Sequence, residues 1–389
     1  MEREHTHLRA AYSRFLEAAS GRILLTGHSH QAWPDTVRDA LTDSFDDAAR
    51  LADDKWEVAV FPKVAAVGEA ILDRMGFDRA DAIAFGRSTH ELVFRLLTCL
   101  PPERRPRIVT TAGEFHSLRR QLTRLAEEGA DVVWVSVEPR ASLPDRLLDA
   151  LAPGADMLAL SAVLFEDAYV VPRLGEILAC AAEVGAIPLV DAYHAFNVVP
   201  IDWGPAKPAL FVTAGGYKYA AFGEGVCWLR IPAGCALRPV DTGWFADFGS
   251  LAAADGDAVA YGPGGARFAG ATFDPTAFYR AGAALAHWDR FDLTVPRLRA
   301  ISLRQTDRIL ARLDEAGLGA AIVTARDPER RGGFVAVRTP RASDVVARLR
   351  ARGVFVDARR DVLRLGPAPY LIDDEIDRGV AAAIDELRR

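Results

Sequence analysis

The chain has 389 residues, half of them apolar, so it is long enough for two domains and a large buried core. Its formal net charge is −6 and its arginines are scattered, which argues against a nucleic-acid surface. It has no run of about 18 apolar residues, and residues 1–5 lack the basic start of a signal peptide. We therefore expect a cytoplasmic protein with no membrane partner. The four cysteines have no Cys-x-x-Cys spacing, which indicates neither a disulfide framework nor a zinc site.

Short apolar runs alternate with amphipathic stretches between about residues 80 and 230, after an early predicted helix at Asp35–Leu51. This alternation is typical of an α/β domain whose parallel sheet is covered by helices. Pro188 conflicts with the strand around it unless its missing N–H is not needed there. The seven predicted strands are Ala82–Phe85, Arg107–Thr111, Val132–Ser136, Met157–Ala162, Ile187–Asp191, Leu210–Thr213 and Val226–Arg230.

The C-terminal third has a different rhythm and begins after Gly262-Pro263-Gly264-Gly265. A long helical stretch is predicted from about Pro275 to Ala316. We therefore expect a large domain at residues 51–270, a smaller α+β domain at 271–389, and an N-terminal segment, 1–50, packing on the small domain. Further strands are predicted at Ala320–Thr324, Phe334–Arg338, Val354–Asp357 and Val362–Leu365, and further helices at Ala342–Arg352 and Asp373–Leu387.

Two predicted strands end in side chains of complementary chemistry. One ends at Asp191, three residues before His194, and 27 residues after Asp191 stands Lys218, between two tyrosines. Parallel strands present their carboxyl ends to one crevice. A pyridoxal 5′-phosphate (PLP) enzyme needs a lysine that forms a Schiff base and a carboxylate that keeps the pyridine nitrogen protonated. The pair predicts a PLP site, although a surface lysine, a capping aspartate and a buried, satisfied histidine are the alternatives.

A phosphate site is predicted at the turn Gly86-Arg87-Ser88-Thr89, between a strand and an apolar-periodic helix. Free N–H groups and hydroxyls at a helix N-terminus bind phosphate. The same turn could be only a capping box, since Glu91 follows Ser88 by three residues. Beside Asp191 and Lys218, the phosphate is the favoured interpretation.

A stacking ring is predicted at the end of the strand Arg107–Thr111, where Phe115 and His116 follow. Either ring could lie on the face of a pyridine ring. A core phenylalanine that anchors the loop is the alternative.

The run from Asp191 through Lys218 resembles the fold-type-I PLP enzymes of aminotransferase class V. Tyr217-Lys218-Tyr219 with Asp191-x-x-His194 is most similar to the kynureninases. The resemblance implies a seven-stranded, mostly parallel sheet sandwiched by helices, PLP as cofactor, and a homodimer with composite active sites.

Two further segments carry the resemblance. Gly243-Trp244-Phe245 is similar to a kynureninase segment whose tryptophan binds the cofactor phosphate, and Arg267–Thr272 is similar to one that the partner subunit inserts toward it. The resemblance and the strand ends together predict Lys218, Asp191 and His194 as catalytic residues. The predicted cofactor-binding residues are Ser88, Thr89, Phe115, Asp191, His194, Tyr217, Lys218, Trp244 and Thr272.

The predicted substrate-binding residues are Arg364, Ser29 and His28. Arg364 stands in a segment similar to the one whose arginine grips the substrate α-carboxylate, and a guanidinium is the usual bidentate receptor for that group. Thr272 and Ala221 depart from the kynureninase pattern, so we expect kynurenine to be a poor substrate. His28 and His30 lack a third ligand at a sensible spacing, so no metal is predicted.

The favoured function is a kynureninase-like lyase or hydrolase acting on an α-amino acid, with cleavage of a C–C bond or at Cβ. A class V aminotransferase uses the same residues and stays open. A cysteine desulfurase is less favoured, because no cysteine follows Cys235. A non-catalytic binding protein would not need Asp191, Lys218 and Arg364 together. A nicotinamide dehydrogenase is disfavoured, since no Gly-x-Gly-x-x-Gly follows an early strand.

Overall fold

The N-terminal segment runs along the C-terminal part of the chain. The computed structural model describes residues 7–19, 21–101, 103–250 and 258–389, so the prediction for residues 1–5 lies outside the described residues. Strand β1 (Ile23–Leu24) pairs in parallel with Val354–Phe355, a strand of the C-terminal part. The predicted early helix is confirmed as α2 (Thr36–Leu51). The first elements are α1 (Ser13–Leu16), β1 (Ile23–Leu24), α2 (Thr36–Leu51) and α3 (Phe61–Met75).

A seven-stranded sheet forms the centre of the chain, in the order β2-β8-β7-β6-β5-β3-β4. Strand β8 is antiparallel to both of its neighbours, and the remaining pairs are parallel. All seven predicted strands are found, two with the predicted bounds and five with bounds that differ by one or two residues. They are β2 (Ala82–Gly86), β3 (Arg107–Thr111), β4 (Asp131–Val135), β5 (Met157–Ser161), β6 (Ile187–Asp191), β7 (Phe211–Gly215) and β8 (Cys227–Ile231).

Burial explains why the central strands are continuous apolar runs: every residue of β5, β7 and β8 is buried. Pro188 lies opposite Leu158 of β5. It is tolerated because the pairing of β6 with β7 starts only at Leu189, so no hydrogen bond to β7 is lost with its missing N–H. The helices between the strands are α4 (Thr89–Leu97), α5 (His116–Glu127), α6 (Leu143–Leu151) and α7 (Leu174–Glu183).

The predicted helical stretch from Pro275 to Ala316 is confirmed, but it is divided into two helices, α8 (Thr276–Arg290) and α9 (Val295–Glu315). Asp292 has a φ of 48°, in the left-handed region that a helix cannot continue through. Thr294 then starts α9, because its side chain accepts the backbone N–H of Arg297 at 3.4 Å.

The C-terminal part combines a small antiparallel sheet, in the order β11-β12-β9, with two helices. The predicted strand at Ala320–Thr324 is not formed, apart from an isolated bridge at Ile322. The Thr324 hydroxyl accepts a hydrogen bond from the N–H of Ala336 at 2.7 Å. In a regular strand pair, a backbone carbonyl would accept that N–H instead. The elements are β9 (Val335–Arg338), α10 (Ala342–Ala351), β10 (Val354–Phe355), β11 (Asp357–Arg359), β12 (Val362–Leu365) and α11 (Asp373–Arg388).

The predicted strand Val354–Asp357 is split: β10 joins β1, whereas β11 joins β12. The division into domains at residues 50 and 270 stays a prediction, as does the cytoplasmic location. Within the described ranges, no helix combines the length and apolar character needed to cross a membrane. The same residues contain no group of three or more His, Cys, Asp or Glu side chains placed to hold a metal ion.

Candidate active site

A cavity of about 180 Å³ lies where β5 and β6 end and α4 begins. Larger clefts of about 520 and 770 Å³ contain none of the predicted site residues. Carboxyl ends of parallel strands are where ligands of α/β sheets bind. The fold therefore brings most of the predicted cofactor residues to one place. Those that line the cavity are Ser88, Thr89, Phe115, Asp191, His194, Tyr217 and Lys218.

Lys218 lies three residues beyond the end of β7, with only 5% of its surface exposed. Its Nζ is 2.9 Å from Nε2 of His194. Burial lowers the pKa of Lys218 to about 7, an effect that Asp191 opposes and Arg364 increases. At neutral pH about half of the Lys218 side chains are therefore unprotonated. An unprotonated amine in an apolar pocket is a nucleophile.

His194 is buried beside Lys218 and is neutral. Burial, followed by the charge of Lys218, lowers the pKa of His194 well below its usual value. Its Nδ1 is buried and has no hydrogen-bond partner among the described residues. A buried ring nitrogen without a partner costs free energy, so a bound group that supplies one fits this position.

Asp191 is the last residue of β6 and lines the same cavity. The backbone N–H of Tyr193 donates to its Oδ1 at 2.8 Å. Burial raises the pKa of Asp191, whereas that N–H and the charge of Lys218 lower it. A buried carboxylate of this kind is stabilised by a cationic partner, and a protonated pyridine nitrogen is such a partner.

Glu114 is a buried acid behind Asp191 that the sequence patterns did not indicate. The hydroxyls of Thr111 and Ser161 each donate to its carboxylate at 2.6 Å, and the backbone N–H of Ser161 donates at 3.2 Å. Burial raises the pKa of Glu114 to about 7, and the charge of Asp191 adds to the shift, against these hydrogen bonds. Ser161 itself lines the cavity, opposite Asp191 in the sheet. The hydrogen bonds therefore fix the Ser161 side chain at the cavity wall.

The turn after β2 forms the Ser88 half of the predicted capping box, whereas Glu91 bonds Arg87 instead of Ser88, and the turn also lines the cavity. The Ser88 hydroxyl accepts the N–H of Glu91 at 3.2 Å, and the Glu91 carboxylate accepts the N–H of Arg87 at 3.0 Å. The backbone N–H groups of Thr89 and Gly216 point at the Cys227 thiol, whose pKa burial raises to about 11. The cap itself uses the N–H groups of Arg87 and Glu91, so the phosphate interpretation of this turn stays a prediction.

Phe115, not His116, lines the cavity. Nζ of Lys218 is 5.2 Å from the Phe115 ring centroid, and Phe165 meets that ring edge-on at 5.4 Å. Of the two candidate rings, Phe115 is thus the one placed to stack on a planar ligand.

Arg364 does not itself line the cavity but bonds Phe165, which does, and it is 2% exposed and anchored on two sides. Its Nε donates to Asp357 at 2.8 Å, its Nη2 also bonds Asp357, and its Nη1 bonds the carbonyl of Phe165. A guanidinium has five N–H donors, so these three bonds leave two for another acceptor. The Asp357 carboxylate, which the sequence patterns missed, therefore fixes the orientation of Arg364.

His28 stands behind this pair and does not line the cavity. It is fully buried, and its Nε2 lies 2.8 Å from Oδ1 of Asp357. Burial lowers the pKa of His28 to about 4, although Asp357 opposes the shift, so the ring is neutral at pH 7. Its place in the structure is that of a support for Asp357.

Ser29, Trp244 and Thr272, like His28 and Arg364, are not among the residues that line the cavity. The Ser29 hydroxyl donates to the Thr26 carbonyl at 3.2 Å. Trp244 is 45% exposed and packs on Phe245, and Thr272 is exposed. The roles assigned to Trp244 and Thr272 in a neighbouring subunit's site stay predictions.

Known structures show the class of fold. A mutant of C-DES with glycine covalently linked to the PLP cofactor superimposes with a TM-score of 0.81, covering 96% of this chain and 99% of that one, at 18% identity. The architecture is that of fold type I, and the predicted fold is confirmed.

Sequence comparisons narrow the relationship. Residues 298–383 match the family described as the kynureninase C-terminal domain. A kynureninase of Deinococcus radiodurans is 32% identical over 222 residues, 54% of this chain and 53% of that protein. An uncharacterized aminotransferase of Bacillus subtilis, YcbU, is 29% identical over 232 residues, 58% of this chain and 57% of that protein. The matches thus span little more than half the length of either relative. They confirm the predicted resemblance to class V PLP enzymes and to kynureninases in particular.

Proposed function

We propose that the protein is a PLP-dependent enzyme that acts on an α-amino acid, with a kynureninase-like lyase or hydrolase reaction. The observation that carries the proposal is Lys218, a buried lysine with a pKa of about 7, in one cavity with Asp191. The unpartnered Nδ1 of His194 and the aromatic face of Phe115 fit a planar, polar group in the same space.

Each residue has a defined task in this proposal. PLP, when bound, supplies an aldehyde for amines and a ring that accepts electrons. Lys218 is the amine that holds the cofactor and later carries a proton, with His194 accepting a hydrogen bond from its Nζ. Asp191 keeps the proton on the pyridine nitrogen. The Phe115 ring covers one face of the cavity.

Two other groups bind the ends of the reactants. The hydroxyls of Ser88, Thr89 and Tyr217, with the first N–H groups of α4, are the proposed phosphate site. Arg364 binds the α-carboxylate with the two donors that Asp357 and the Phe165 carbonyl leave uncommitted. Binding of both ends would hold the Cα bonds in a fixed relation to the cofactor.

A homodimer belongs to the proposal. An aromatic cluster stands at the surface around Trp244, whose ring lies 4.3 Å from that of Phe245 and 5.3 Å from that of Phe248. Trp244 and Phe248 are 45% and 42% exposed, and Val240 nearby in sequence is 78% exposed. Contiguous exposed apolar side chains are typical of an interface. If a second copy of the chain covered this cluster, Trp244 and Thr272 of the first copy would lie toward the cofactor site of the second.

The experiment is a visible absorption spectrum recorded as PLP is added to the purified protein and to the Lys218→Ala variant. Wild type should gain a band that borohydride removes, and the variant should not. An identical spectrum in both proteins would contradict the proposal. The similarity to YcbU keeps a class V aminotransferase as the second candidate. In that case an amino acid should cause a lasting loss of the band, which a keto acid restores.

A further inference from the structure

One cation beside the candidate active site is not used by the functions proposed above. Arg359 ends strand β11, and Asp357 begins it. Side chains two residues apart on a strand lie on the same face. In the hairpin, Asp357 pairs with Arg364 and Arg359 pairs with Val362. Asp357, Arg359 and Arg364 therefore lie together on one face.

That face is directed at the active site. The charges of Arg364 and Arg359 both lower the pKa of Lys218, after the larger effect of burial. The charge of Arg359 also lowers the pKa of Tyr217, in opposition to burial. Such effects require proximity, since charges interact only weakly across a long distance in water. Geometry places the same face beside the cavity, because Nη1 of Arg364 bonds the carbonyl of Phe165, a residue that lines the cavity.

Within the described part of the chain, the carboxylate that pairs with Arg359 is that of Asp357, which Arg359 shares with Arg364. Its Nη1 donates to the carbonyl of Ala358 at 2.8 Å, and the same nitrogen is 3.6 Å from Oδ2 of Asp357. The Asp357 carboxylate is already bound by Arg364 and lies 2.8 Å from His28. Because His28 is neutral at pH 7, one carboxylate faces two guanidinium groups.

The accessibility of the two arginines also differs. The Arg364 side chain is 2% exposed, whereas that of Arg359 is 38% exposed. Arg364 is thus a fixed donor, and Arg359 is a partly buried donor that a ligand can approach. An excess positive charge at a partly desolvated position favours an anionic ligand.

We propose that Arg359 binds an anionic group on the substrate side chain, so that the substrate is an α-amino acid whose side chain ends in a carboxylate. The inference rests on the proposed function, since Arg364 already receives the α-carboxylate there. Diagonal neighbours on a hairpin stand about 7 Å apart, a separation that two long arginine side chains bridge toward the two carboxylates of one small molecule.

The test is a titration of the PLP-loaded protein, with dissociation constants read from the change in the visible spectrum. L-aspartate and L-glutamate are compared with their neutral isosteres, L-asparagine and L-glutamine. At least one of the two acids should bind about 10-fold or more tightly than its amide, which is the difference expected from one charge-assisted hydrogen bond. Arg359→Gln should remove this preference and leave amide binding within about twofold, and Arg359→Lys should retain part of the preference.

A matched control is Arg360→Gln. Arg360 is the next residue, carries the same charge, is 72% exposed, and stands 3.7 Å from Glu166. This variant should keep the preference for the acid. Equal binding of acid and amide by wild type would overturn the inference, as would an Arg359→Gln variant that weakens both ligands equally. If no amino acid changes the spectrum, the proposed function itself fails, whereas binding of neutral amino acids without preference for acids refutes only the role of Arg359.

Discussion

The ionisation of Lys218 gives a quantitative prediction. An ordinary lysine has a pKa of 10.5, and burial lowers that of Lys218 to about 7. At pH 7 an ordinary lysine is unprotonated in about one molecule in 3,000, against about half for Lys218. Only the unprotonated amine attacks an aldehyde. The rate at which the protein takes up PLP should therefore rise with pH, pass half of its maximum near pH 7, and level off above about pH 8.

Stopped-flow absorbance measures this rate, and the Lys218→Ala variant supplies the blank. Asp191 raises the pKa of Lys218, so Asp191→Asn should move the midpoint to lower pH. A rate that keeps rising to pH 10 would refute the lowered pKa of Lys218, because that pH dependence is the one expected of a solvent-exposed lysine.

The same shift has a consequence for stability. A pKa that falls from 10.5 to about 7 corresponds to about 5 kcal/mol between the charged and neutral forms. The folded pKa lies below the unfolded one, so protonation favours the unfolded chain. The free energy of unfolding of the cofactor-free protein should thus fall as the pH falls from about 10 to 7. Lys218→Met should be more stable than wild type at pH 7, and the difference should shrink toward pH 10. A constant difference across this range would contradict the burial argument.

The remaining predictions concern the other site residues. Asp191→Asn should keep the fold and lose activity by several powers of ten, because an amide cannot hold the ring nitrogen protonated; wild-type turnover in this variant would remove Asp191 from the mechanism. Arg364→Lys should weaken amino-acid binding at least about 10-fold while the spectrum of the cofactor stays unchanged, and unaltered binding would exclude Arg364 as the carboxylate receptor. Mixing Lys218→Ala chains with Trp244→Ala chains should restore part of the activity in heterodimers, whereas a monomer in sedimentation that still turns over would exclude composite sites. Kynurenine should be a poor substrate, and release of anthranilate with kcat/KM above roughly 10⁴ M⁻¹s⁻¹ would contradict this.

The sheet could be predicted from the sequence because its strands are short apolar runs that end in turn residues. The same logic located Asp191 and Lys218, since the side chain that follows a strand is fixed by the strand itself. The N-cap at the turn after β2 could also be predicted from the local sequence, because the Ser88 hydroxyl accepts the N–H of Glu91 as expected.

Long-range contacts were not predictable in this way. Asp357 and His28 are 329 residues apart in the chain, and only the pairing of β1 with β10 and of β11 with β12 brings them together. The position of Glu114 in the site could not be predicted either, because it depends on a hydrogen bond from Ser161, which belongs to another strand. The break between α8 and α9 was overlooked because apolar periodicity continues across it, although Pro296 near the start of α9 was a usable signal.

Lys218 is proposed to hold PLP covalently. The chain contains four lysines, Lys55, Lys63, Lys207 and Lys218, so the modified residue can be assigned without ambiguity. The direct measurement is borohydride reduction of the PLP-loaded protein, followed by proteolysis and mass spectrometry. We expect the added mass on the peptide that contains Lys218 and on no other. Modification spread over the other lysines, or none at all, would contradict it.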